Sequence, residues 1–369
     1  MLLFVIACLA SSFAVSLLAT AAMRVLAPRW GLVDQPAARK VHVIPTPLGG
    51  GVGIWLGVVV PILSGLGAAV FYASGESTPD WIPDDIASRF GGVLARSWQM
   101  LGILAGGTIL AGMGLIDDRK NLPWLPRLAV QLLVAIALVA IGIRATVFVP
   151  MPLLGAVITV GWIMVLVNSF NFLDNMDGLS SGIALIASLM LAAILLTMSN
   201  EPRWLVAGVL LVLAGSLGGF LCHNWPPARI FMGDSGSYFI GLILATMTVL
   251  GTFYTENASG RHVILAPLCI LAVPLYDFAS VMVIRLSQGR SPFQPDKSHF
   301  SHRLVELGLK PRNAVLTIHL ATLTTGVGGL LLYKVTDWTA ALLIVGLILC
   351  ALAIIAILET VGRRQNGDS

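Results

Sequence analysis

The feature that most constrains this chain is a series of apolar stretches, each about 20 residues long, that recurs from one end to the other. A helix of that length can cross the hydrocarbon core of a bilayer. Eleven stretches can be counted, centred near residues 12, 60, 106, 134, 160, 190, 212, 246, 273, 323 and 348. Strands of a membrane barrel would alternate apolar and polar residues, which these stretches do not. The sequence therefore predicts an all-α, polytopic integral membrane protein with about 11 transmembrane helices.

The composition agrees with a membrane protein and shows no division into domains. Hydrophobic residues make up 57% of the 369 residues and charged residues only 11%, too little polar surface for a soluble protein. No repeat, low-complexity tract or linker separates a soluble part, so residues 1–369 are predicted to form a single membrane-embedded domain. The first apolar stretch has no basic residue before Arg24 and is too long for a typical signal peptide. It is predicted to be a retained helix with its N-terminus outside.

The distribution of Lys and Arg predicts the orientation, because these residues are enriched in cytoplasmic loops. With the N-terminus outside, the cytoplasmic segments are 24–45, 117–127, 223–236, 285–312 and the tail after residue 360. These segments hold 16 of the 22 Lys and Arg residues. The C-terminus is therefore predicted to be cytoplasmic, and the net charge of +4 reflects orientation rather than nucleic-acid binding.

Polar residues that are unusual beside a membrane also concentrate on the predicted cytoplasmic side, in loops 24–45, 117–127, 168–181, 222–236 and 285–312. The candidate site residues in these loops are Asp34, Lys40, His42, Asp117, Asp118, Asn168, Asn171, Asp174, Asp177, Asn224, Asp234, Arg285, Arg290, His299, His302 and Arg303. Carboxylates played no part in assigning the orientation, so their presence on one side is an independent observation. It predicts one composite active site.

The acids in these loops suggest a divalent cation. Five aspartates lie at the predicted cytoplasmic ends of three different spans, namely Asp117, Asp118, Asp174, Asp177 and Asp234. Oxygen-rich sites with few His or Cys suit hard ions, and Mg²⁺ commonly bridges one or two protein ligands to substrate phosphates. The acids are therefore predicted to serve Mg²⁺, with Mn²⁺ as a substitute. The alternative is that they only mark solvated loop ends, which is less expected for five acids on one side.

Helical geometry divides the polar residues of segment 168–178. On a helix with 100° per residue its three asparagines share one face, whereas Asp174 and Asp177 lie on an adjoining face. One straight helix cannot aim all five side chains at one point. Either the helix ends near Gly178, or the set divides into a metal part and a substrate part.

A basic loop complements the acids. Within 19 residues it contains Arg285, Arg290, Lys297, His299, His302 and Arg303. Arg suits bidentate phosphate contacts, so the loop is predicted to clamp a diphosphate. Two alternatives stay open. The loop could face anionic lipid headgroups, or His299 and His302 could bind zinc, although no suitable third ligand lies nearby.

Three other features within spans are interpreted as structural. The glycine-rich stretch 47–57 lacks the ending of a phosphate-binding loop and is predicted to allow close helix packing. His319 is predicted to be a packing or hydrogen-bonded residue. Asp277 is expected to be structural or to support the site.

Acids for Mg²⁺ and bases for phosphate on one face fit the transfer of a phosphoryl group between a nucleotide-linked substrate and a lipid phosphate. Positioning and charge neutralisation supply most of the catalysis in such reactions. An ion-coupled secondary transporter is the alternative of a different class, and its site would lie near the midplane at broken helices. The one-sided polar residues and the lack of an inverted repeat favour the enzyme.

Five segments resemble, in order, the motifs of the polyprenyl-phosphate N-acetylhexosamine-1-phosphate transferases. They are GLVDQPAARKVHVIPTPLGG, GLIDDRKNL, NSFNFLDNMDGLSSG, NWPPARIFMGDSGS and GRSPFQPDKSHFSHRL. The resemblance runs from about residue 30 to residue 310 and includes the plan of eleven spans. The last segment looks like the WecA/TagO branch, because the run of three His that is typical of the MraY branch is missing.

The resemblance implies a reaction and several roles. A UDP-N-acetylhexosamine and undecaprenyl phosphate would give undecaprenyl-diphosphate-N-acetylhexosamine and UMP, with Mg²⁺. Asp117 would accept a proton from the lipid phosphate or orient it, and Asp118 would support phosphate or metal. Asp234 matches the metal-ligand Asp, with Asn171 as the second ligand. Direct attack by the lipid phosphate is expected, with a covalent aspartyl intermediate as the alternative.

The remaining implied roles concern the donor. Asp174 and Asp177 match acids of the nucleotide-sugar and catalytic centre, and Asn224 would approach the uracil. The diphosphate clamp would consist of Arg285, His299, His302 and Arg303. Ser301 stands where related loops often carry His, and His302 follows it. The predicted substrate-binding set is completed by Asp34, Lys40, His42, Asn168 and Arg290.

The resemblance also implies a setting. The expected location is the bacterial cytoplasmic (inner) membrane, with the active site facing the cytoplasm at the first membrane step of cell-surface polysaccharide synthesis. Expected partners are the two substrates and membrane lipids, without nucleic acid, and a homodimer is considered. GlcNAc is the expected sugar. A phospho-N-acetylmuramoyl-pentapeptide transferase activity or another UDP-N-acetylhexosamine donor is the alternative.

Overall fold

The computed structural model describes residues 1–36, 44–73, 88–145, 151–198, 202–251, 260–291 and 298–367, without the side chains of 360–367. Two of the predicted substrate-binding residues, Lys40 and His42, lie outside the described residues. Their predicted roles stay predictions.

Helices account for most of the described chain. In order they are α1 (Leu2–Arg29), α2 (Gly50–Ala73), α3 (Phe90–Ala95), α4 (Ser97–Lys120), α5 (Trp124–Ala140), α6 (Pro152–Leu173), α7 (Leu179–Thr197), α8 (Trp204–Asn224), α9 (Gly233–Leu250), a 3₁₀ helix (Arg261–Leu265), α10 (Ala266–Ile270), α11 (Ala272–Ser287), α12 (Phe300–Glu306), α13 (Pro311–Leu331) and α14 (Trp338–Gly367). The strands β1 (Val33–Asp34) and β2 (Thr46–Pro47) form one antiparallel pair.

Each of the eleven predicted apolar stretches is helical. Within the described ranges, nine helices are long and apolar enough to cross a bilayer. Arg261–Ile270 and Ala272–Ser287 together form a tenth candidate that is bent by 67°, and α5 is a shorter apolar helix of 17 residues. The prediction of an all-α, multi-pass membrane protein is therefore confirmed. The number of crossings and the orientation stay predictions.

Helix α9 is the central helix, packed against α2, α4, α6, α7 and α8. Small residues on both sides allow this close packing. A methyl group at Gly241 of α9 would lie 2.6 Å from Cα of Val167, and one at Gly107 of α4 would lie 2.7 Å from the Phe239 ring. The buried hydroxyl of Thr246 donates to the carbonyl of Leu242 in the same helix, so this polar group is satisfied without a partner helix.

The glycine-rich stretch 47–57 serves helix packing, as predicted. Gly51 of α2 lies directly against the backbone of Gly236 in the first turn of α9. The first residue of α2 also joins this region, because the N–H of Gly50 donates to the carbonyl of Phe231 at 2.9 Å. The stretch therefore holds the start of α9 in place.

The end of α6 differs from the prediction of a helix that continues to about Gly178. The helix ends at Leu173, and residues 174–178 form a turn that leads into α7. Gly178 has φ +71°, a conformation that glycine adopts without strain. Asp174 and Asp177 consequently lie on a turn, and the argument from helix faces does not apply to them.

Candidate active site

Three acids lie around the N-terminus of α9 and are called the acidic group: Asp118, Asp174 and Asp234. The N–H of Asp234 donates to Oδ1 of Asp118 at 2.8 Å, and the N–H of Ser235 lies 3.5 Å from the other carboxylate oxygen. Asp174 lies beside the backbone of Gly233 at the same helix end. The free N–H groups and the dipole of a helix N-terminus attract anions. Asp118 of α4 and Asp174 of the turn after α6 are thus brought to the same helix end.

These acids disfavour each other's ionisation. Burial raises the pKa of Asp174 to about 7, the carboxylate of Asp118 adds to the increase, and the N–H of Gly233 opposes it. Desolvation and like charge both favour the neutral form of a carboxyl group. A cation at this position would relieve both effects.

The predicted metal pair is close in space. Nδ2 of Asn171 at the end of α6 donates to Oδ1 of Asp234 at 2.7 Å, and it also lies 3.2 Å from Oγ of Ser237. In this orientation Asn171 presents its NH₂ group to Asp234. A metal ion would require the oxygen of the same amide, so binding would rotate the amide.

The donor set fits one mode of Mg²⁺ binding. Among the described residues, no three His, Cys, Asp or Glu side chains are grouped so that they alone could hold an ion. Mg²⁺ commonly takes one or two carboxylates together with waters and substrate phosphates. The oxygens of Asp234 and Asn171, with Asp118 and Asp174 nearby, suit an ion shared with a substrate.

Asp117 and Asp118 point in different directions and have different partners. Oδ1 of Asp117 accepts the N–H of Leu122 at 2.6 Å, and Oδ2 accepts from Arg127 at 2.9 Å. The hydroxyl of Tyr238 lies 3.5 Å from the same Oδ2. Both oxygens of this buried side chain are engaged, so its contacts do not support the proton-accepting role predicted for Asp117. Asp118, which caps α9 within the acidic group, is better placed.

Arg127 is a site residue that the sequence interpretation missed. Its Nη1 lies 2.9 Å from Oδ2 of Asp117 and 3.7 Å from Oδ2 of Asp234. It therefore balances two of the acids from the start of α5. In the sequence it counted only as one positive charge of a cytoplasmic loop. Its 10-residue separation from Asp117 crosses a helix break, so helical spacing could not have revealed the pair.

Asp177 and Asn224 hold the loops beside the acidic group. Oδ2 of Asp177 accepts the N–H of Ala228 at 2.9 Å. Oδ1 of the buried Asn224 accepts the N–H of Gly178 at 2.9 Å, and Nδ2 donates to the carbonyl of Ile230. The uracil contact predicted for Asn224 is not supported, because its amide is committed to the protein backbone on both sides.

The side chain of Asn168 is also engaged by the protein itself. Its Nδ2 donates to Oε1 of Gln131 on α5 at 2.7 Å and to the carbonyl of Met164 at 2.8 Å. The hydrogen bond to Gln131 joins α5 to α6 about one helical turn before Asn171. They favour a structural role over the substrate contact predicted for Asn168.

A second group, called the His group, contains His299, His302 and Arg285. Nδ1 of the buried His299 lies 3.0 Å from Oδ2 of Asp277, and its ring stands edge-on to Phe172 with centroids 5.5 Å apart. The guanidinium carbon of buried Arg285 lies 4.9 Å from the centre of the same Phe172 ring. The half-buried ring of His302 is 6.4 Å from that of His299. Three of the predicted clamp residues are thus neighbours.

Arg303, the fourth predicted clamp residue, lies apart from this arrangement. Its Nε is 2.9 Å from Oε2 of Glu359 on α14, and its Nη2 donates to Oγ of Ser280 at 2.9 Å. Both charged side chains of this ion pair are buried. The pair fastens α12 to the last helix, so these contacts do not support a place for Arg303 in the diphosphate clamp. Arg290 is exposed.

Two contacts join the acidic group to the His group. Oγ of Ser301 donates to Oδ1 of Asn175 at 2.5 Å, and Asn175 lies in the turn that carries Asp174 and Asp177. Phe172, just before that turn, touches His299 and Arg285. Ser301 stands where related loops often carry His, and its hydroxyl holds the His group against the turn that carries Asp174.

Fold and site together define a multi-pass membrane protein whose acidic and basic groups meet at one end of the helices. Comparison with known proteins then narrows the class. Residues 100–252 match the family described as glycosyl transferase family 4. The chain is 36% identical over 326 residues to the decaprenyl-phosphate N-acetylglucosaminephosphotransferase of Mycobacterium tuberculosis, covering 82% of this chain and 76% of that protein.

Two further relatives agree. The "Probable undecaprenyl-phosphate N-acetylglucosaminyl 1-phosphate transferase" of Bacillus subtilis is 31% identical over 351 residues, which cover 92% of this chain and 88% of that protein. The undecaprenyl-phosphate alpha-N-acetylglucosaminyl 1-phosphate transferase of Escherichia coli is 28% identical over 340 residues, which cover 87% and 82%. The chain belongs to the polyprenyl-phosphate N-acetylhexosamine-1-phosphate transferases of glycosyl transferase family 4. This membership decides against the transporter.

Proposed function

We propose that this chain transfers GlcNAc 1-phosphate from UDP-GlcNAc to undecaprenyl phosphate and releases UMP, at the cytoplasmic face of a bacterial inner membrane. The names of the relatives support the sugar phosphate and the polyprenyl-phosphate acceptor. The five sequence motifs support a UDP-linked donor. The excess of Lys and Arg in the loops that form the site supports its cytoplasmic position.

The reaction exchanges one phosphorus–oxygen bond for another. An oxygen of the lipid phosphate attacks the phosphorus that carries the sugar. The bond from that phosphorus to the oxygen bridging the two donor phosphates breaks, and UMP leaves with that oxygen. Asp118 and Asp174 would orient the reacting phosphates, and Arg285 would hold the donor diphosphate by charge and hydrogen bonds. Mg²⁺, held by Asp234 and Asn171, would neutralise the charge of the phosphates.

The observation that carries this proposal is the short connection between the two groups. The turn after α6 bears Asp174, its Asn175 bonds to Ser301 beside His299, and Phe172 supports Arg285. A diphosphate needs a cation site on one side and positive side chains on the other. In this chain the proposed cation site and the positive side chains both lie beside Phe172, Asp174 and Asn175.

The test uses the purified protein in liposomes with UDP-GlcNAc, undecaprenyl phosphate and Mg²⁺, and it measures UMP. UMP is expected only when the acceptor lipid is present, which separates transfer from simple hydrolysis. Chelation of the metal should stop release, and Mn²⁺ should restore part of it. Parallel reactions with UDP-GalNAc, UDP-MurNAc-pentapeptide and decaprenyl phosphate identify the preferred donor and chain length. Absence of UMP with every UDP-N-acetylhexosamine would overturn the proposal.

A further inference from the structure

Asp277 is a fully buried acid in the middle of α11, and both of its oxygens are used by the start of α12. Oδ2 lies 3.0 Å from Nδ1 of His299, and Oδ1 accepts the N–H of Phe300 at 2.6 Å. None of its surface is exposed. A buried carboxylate is costly unless hydrogen bonds compensate for the lost water. The burial of Asp277 is therefore compensated by its two partners, the ring of His299 and the N–H of Phe300.

The contact with Asp277 determines which nitrogen of the His299 ring is left to interact with a substrate. An ionised carboxylate can only accept hydrogen bonds, so Nδ1 of His299 carries a proton whether the ring is neutral or charged. Nε2 is then the ring nitrogen that is left to accept a hydrogen bond or a proton from a substrate. A second hydrogen bond to a ring nitrogen commonly fixes tautomer and orientation in this way.

Other neighbours restrict the ring as well. It stands at 79° to the plane of Phe172, and only 8% of the His299 side chain is exposed. A ring flip would break the bond to Asp277 within this packed environment. The group thus has the features of a prearranged site rather than of a surface histidine.

We propose that Asp277 is a positioning residue of the transfer reaction. It holds His299 with Nδ1 protonated, so that Nε2 is the ring atom offered to the phosphates of the substrates. The inference rests on the proposed function and on the place of His299 in the predicted diphosphate clamp. A simpler role exists, in which Asp277 only caps α12 through Phe300, and the experiment must separate the two.

The substitution Asp277→Asn makes this separation. Its amide oxygen can still accept the N–H of Phe300, whereas its NH₂ group would face Nδ1 of His299 and favour a proton on Nε2. We expect kcat to fall by about 100-fold or more, the range associated with a lost acid–base group, with KM for UDP-GlcNAc changed by less than about 3-fold. Asp277→Glu, which restores a carboxylate, should recover part of kcat. Tyr276→Phe is the control, because it removes a neighbouring, partly buried hydrogen bond to Glu359 and should leave kcat within about 2-fold.

A double-mutant cycle gives the decisive comparison. In a His299→Gln background, Asp277→Asn should change kcat by less than about 3-fold, because the residue through which Asp277 acts is already gone. An equal loss of kcat in both backgrounds would overturn the proposal in favour of capping alone.

A spectroscopic measurement on the unsubstituted protein avoids both substrates and folding defects. In liposomes with ¹⁵N-labelled histidine, the signals of His299 are assigned by their loss in His299→Gln. Protonated Nδ1 is expected at neutral pH, and a neutral ring with its proton on Nε2 would overturn the proposal. This measurement needs no turnover, so its outcome is distinguishable from a failure of the proposed function.

Discussion

Nδ2 of Asn171 lies 2.7 Å from Oδ1 of Asp234, and this contact joins the last turn of α6 to the first turn of α9. The two residues are 63 positions apart in the sequence. Because the same end of α9 also receives Asp118, the ends of α4, α6 and α9 bring together two acids and the amide of Asn171 at this point. In the proposed function this is the place at which metal, donor and acceptor meet.

Asp234→Asn is expected to reduce kcat by at least about 100-fold across a wide range of Mg²⁺ concentrations, because it removes a negative charge from the proposed metal position. Thr246→Val is the matched control on the same helix, since its hydroxyl bonds only within α9 among the described contacts. Both proteins should show similar thermal unfolding. Wild-type turnover in Asp234→Asn would show that the metal assignment is wrong.

Arg127→Met should lower both stability and activity. Without the guanidinium, the carboxylate of Asp117, which is 4% exposed, would lose a partner at 2.9 Å, and the expected cost is about 1–3 kcal/mol. Arg127→Lys keeps the charge and should be intermediate. Arg119→Met removes an exposed charge near the end of α4 and should unfold like the wild type in detergent. If Arg127→Met, Arg127→Lys and Arg119→Met all unfolded at the same temperature, the Arg127–Asp117 pair would contribute nothing measurable to stability.

Arg285→Ala is expected to raise KM for UDP-GlcNAc about 10-fold or more, because a positive side chain that contacts the donor diphosphate would be lost. Phe172→Leu should act in the same direction but less strongly, since an aromatic ring supports a cation by about 0.5–2 kcal/mol. Arg312→Ala, at an exposed position at the start of α13, should leave KM unchanged. Steady-state measurements that found an unaltered KM in Arg285→Ala would exclude the clamp.

Gly114→Ala tests whether close packing positions the acids. A methyl group there would collide with the backbone of Asp234 and Ser235, so it should push α4 away from α9 and reduce activity. Gly112→Ala in the same helix meets open space and should be neutral or more stable by about 0.5–1 kcal/mol. Equal activities of the two variants would mean that the site tolerates a shift of α4.

The arrangement of helices could be predicted because it depends on features that a sequence displays directly. Apolar stretches of sufficient length locate the spans, and the positions of polar residues at their ends bring the acids and bases together. The grouping of Arg285 with His299 follows from this rule, whereas the pairing of Asn171 with Asp234 is implied by the family resemblance. Glycines near Gly51 could likewise be assigned to packing, because no phosphate-loop ending follows them.

The individual roles could not be predicted to the same extent, because they depend on where helices end and how they turn. The end of α6 at Leu173 places Asp174 on a turn, which no helix-face argument anticipates. Arg303 turns to Glu359 on the last helix, a partner 56 residues away that no motif includes. Asp277 was recognised as structural or supporting, but its bond to His299 depends on the approach of α12 to α11.

The most direct test of the central claim follows the phosphorus that carries the sugar. UDP-GlcNAc labelled with phosphorus-32 at that position is incubated with the protein, Mg²⁺ and undecaprenyl phosphate, and the lipid and aqueous phases are separated. If GlcNAc 1-phosphate is transferred, the label enters the lipid and the UMP released is unlabelled. If the label stayed in the aqueous phase, as UDP or as unused donor, no sugar phosphate would have been transferred and the account would be contradicted.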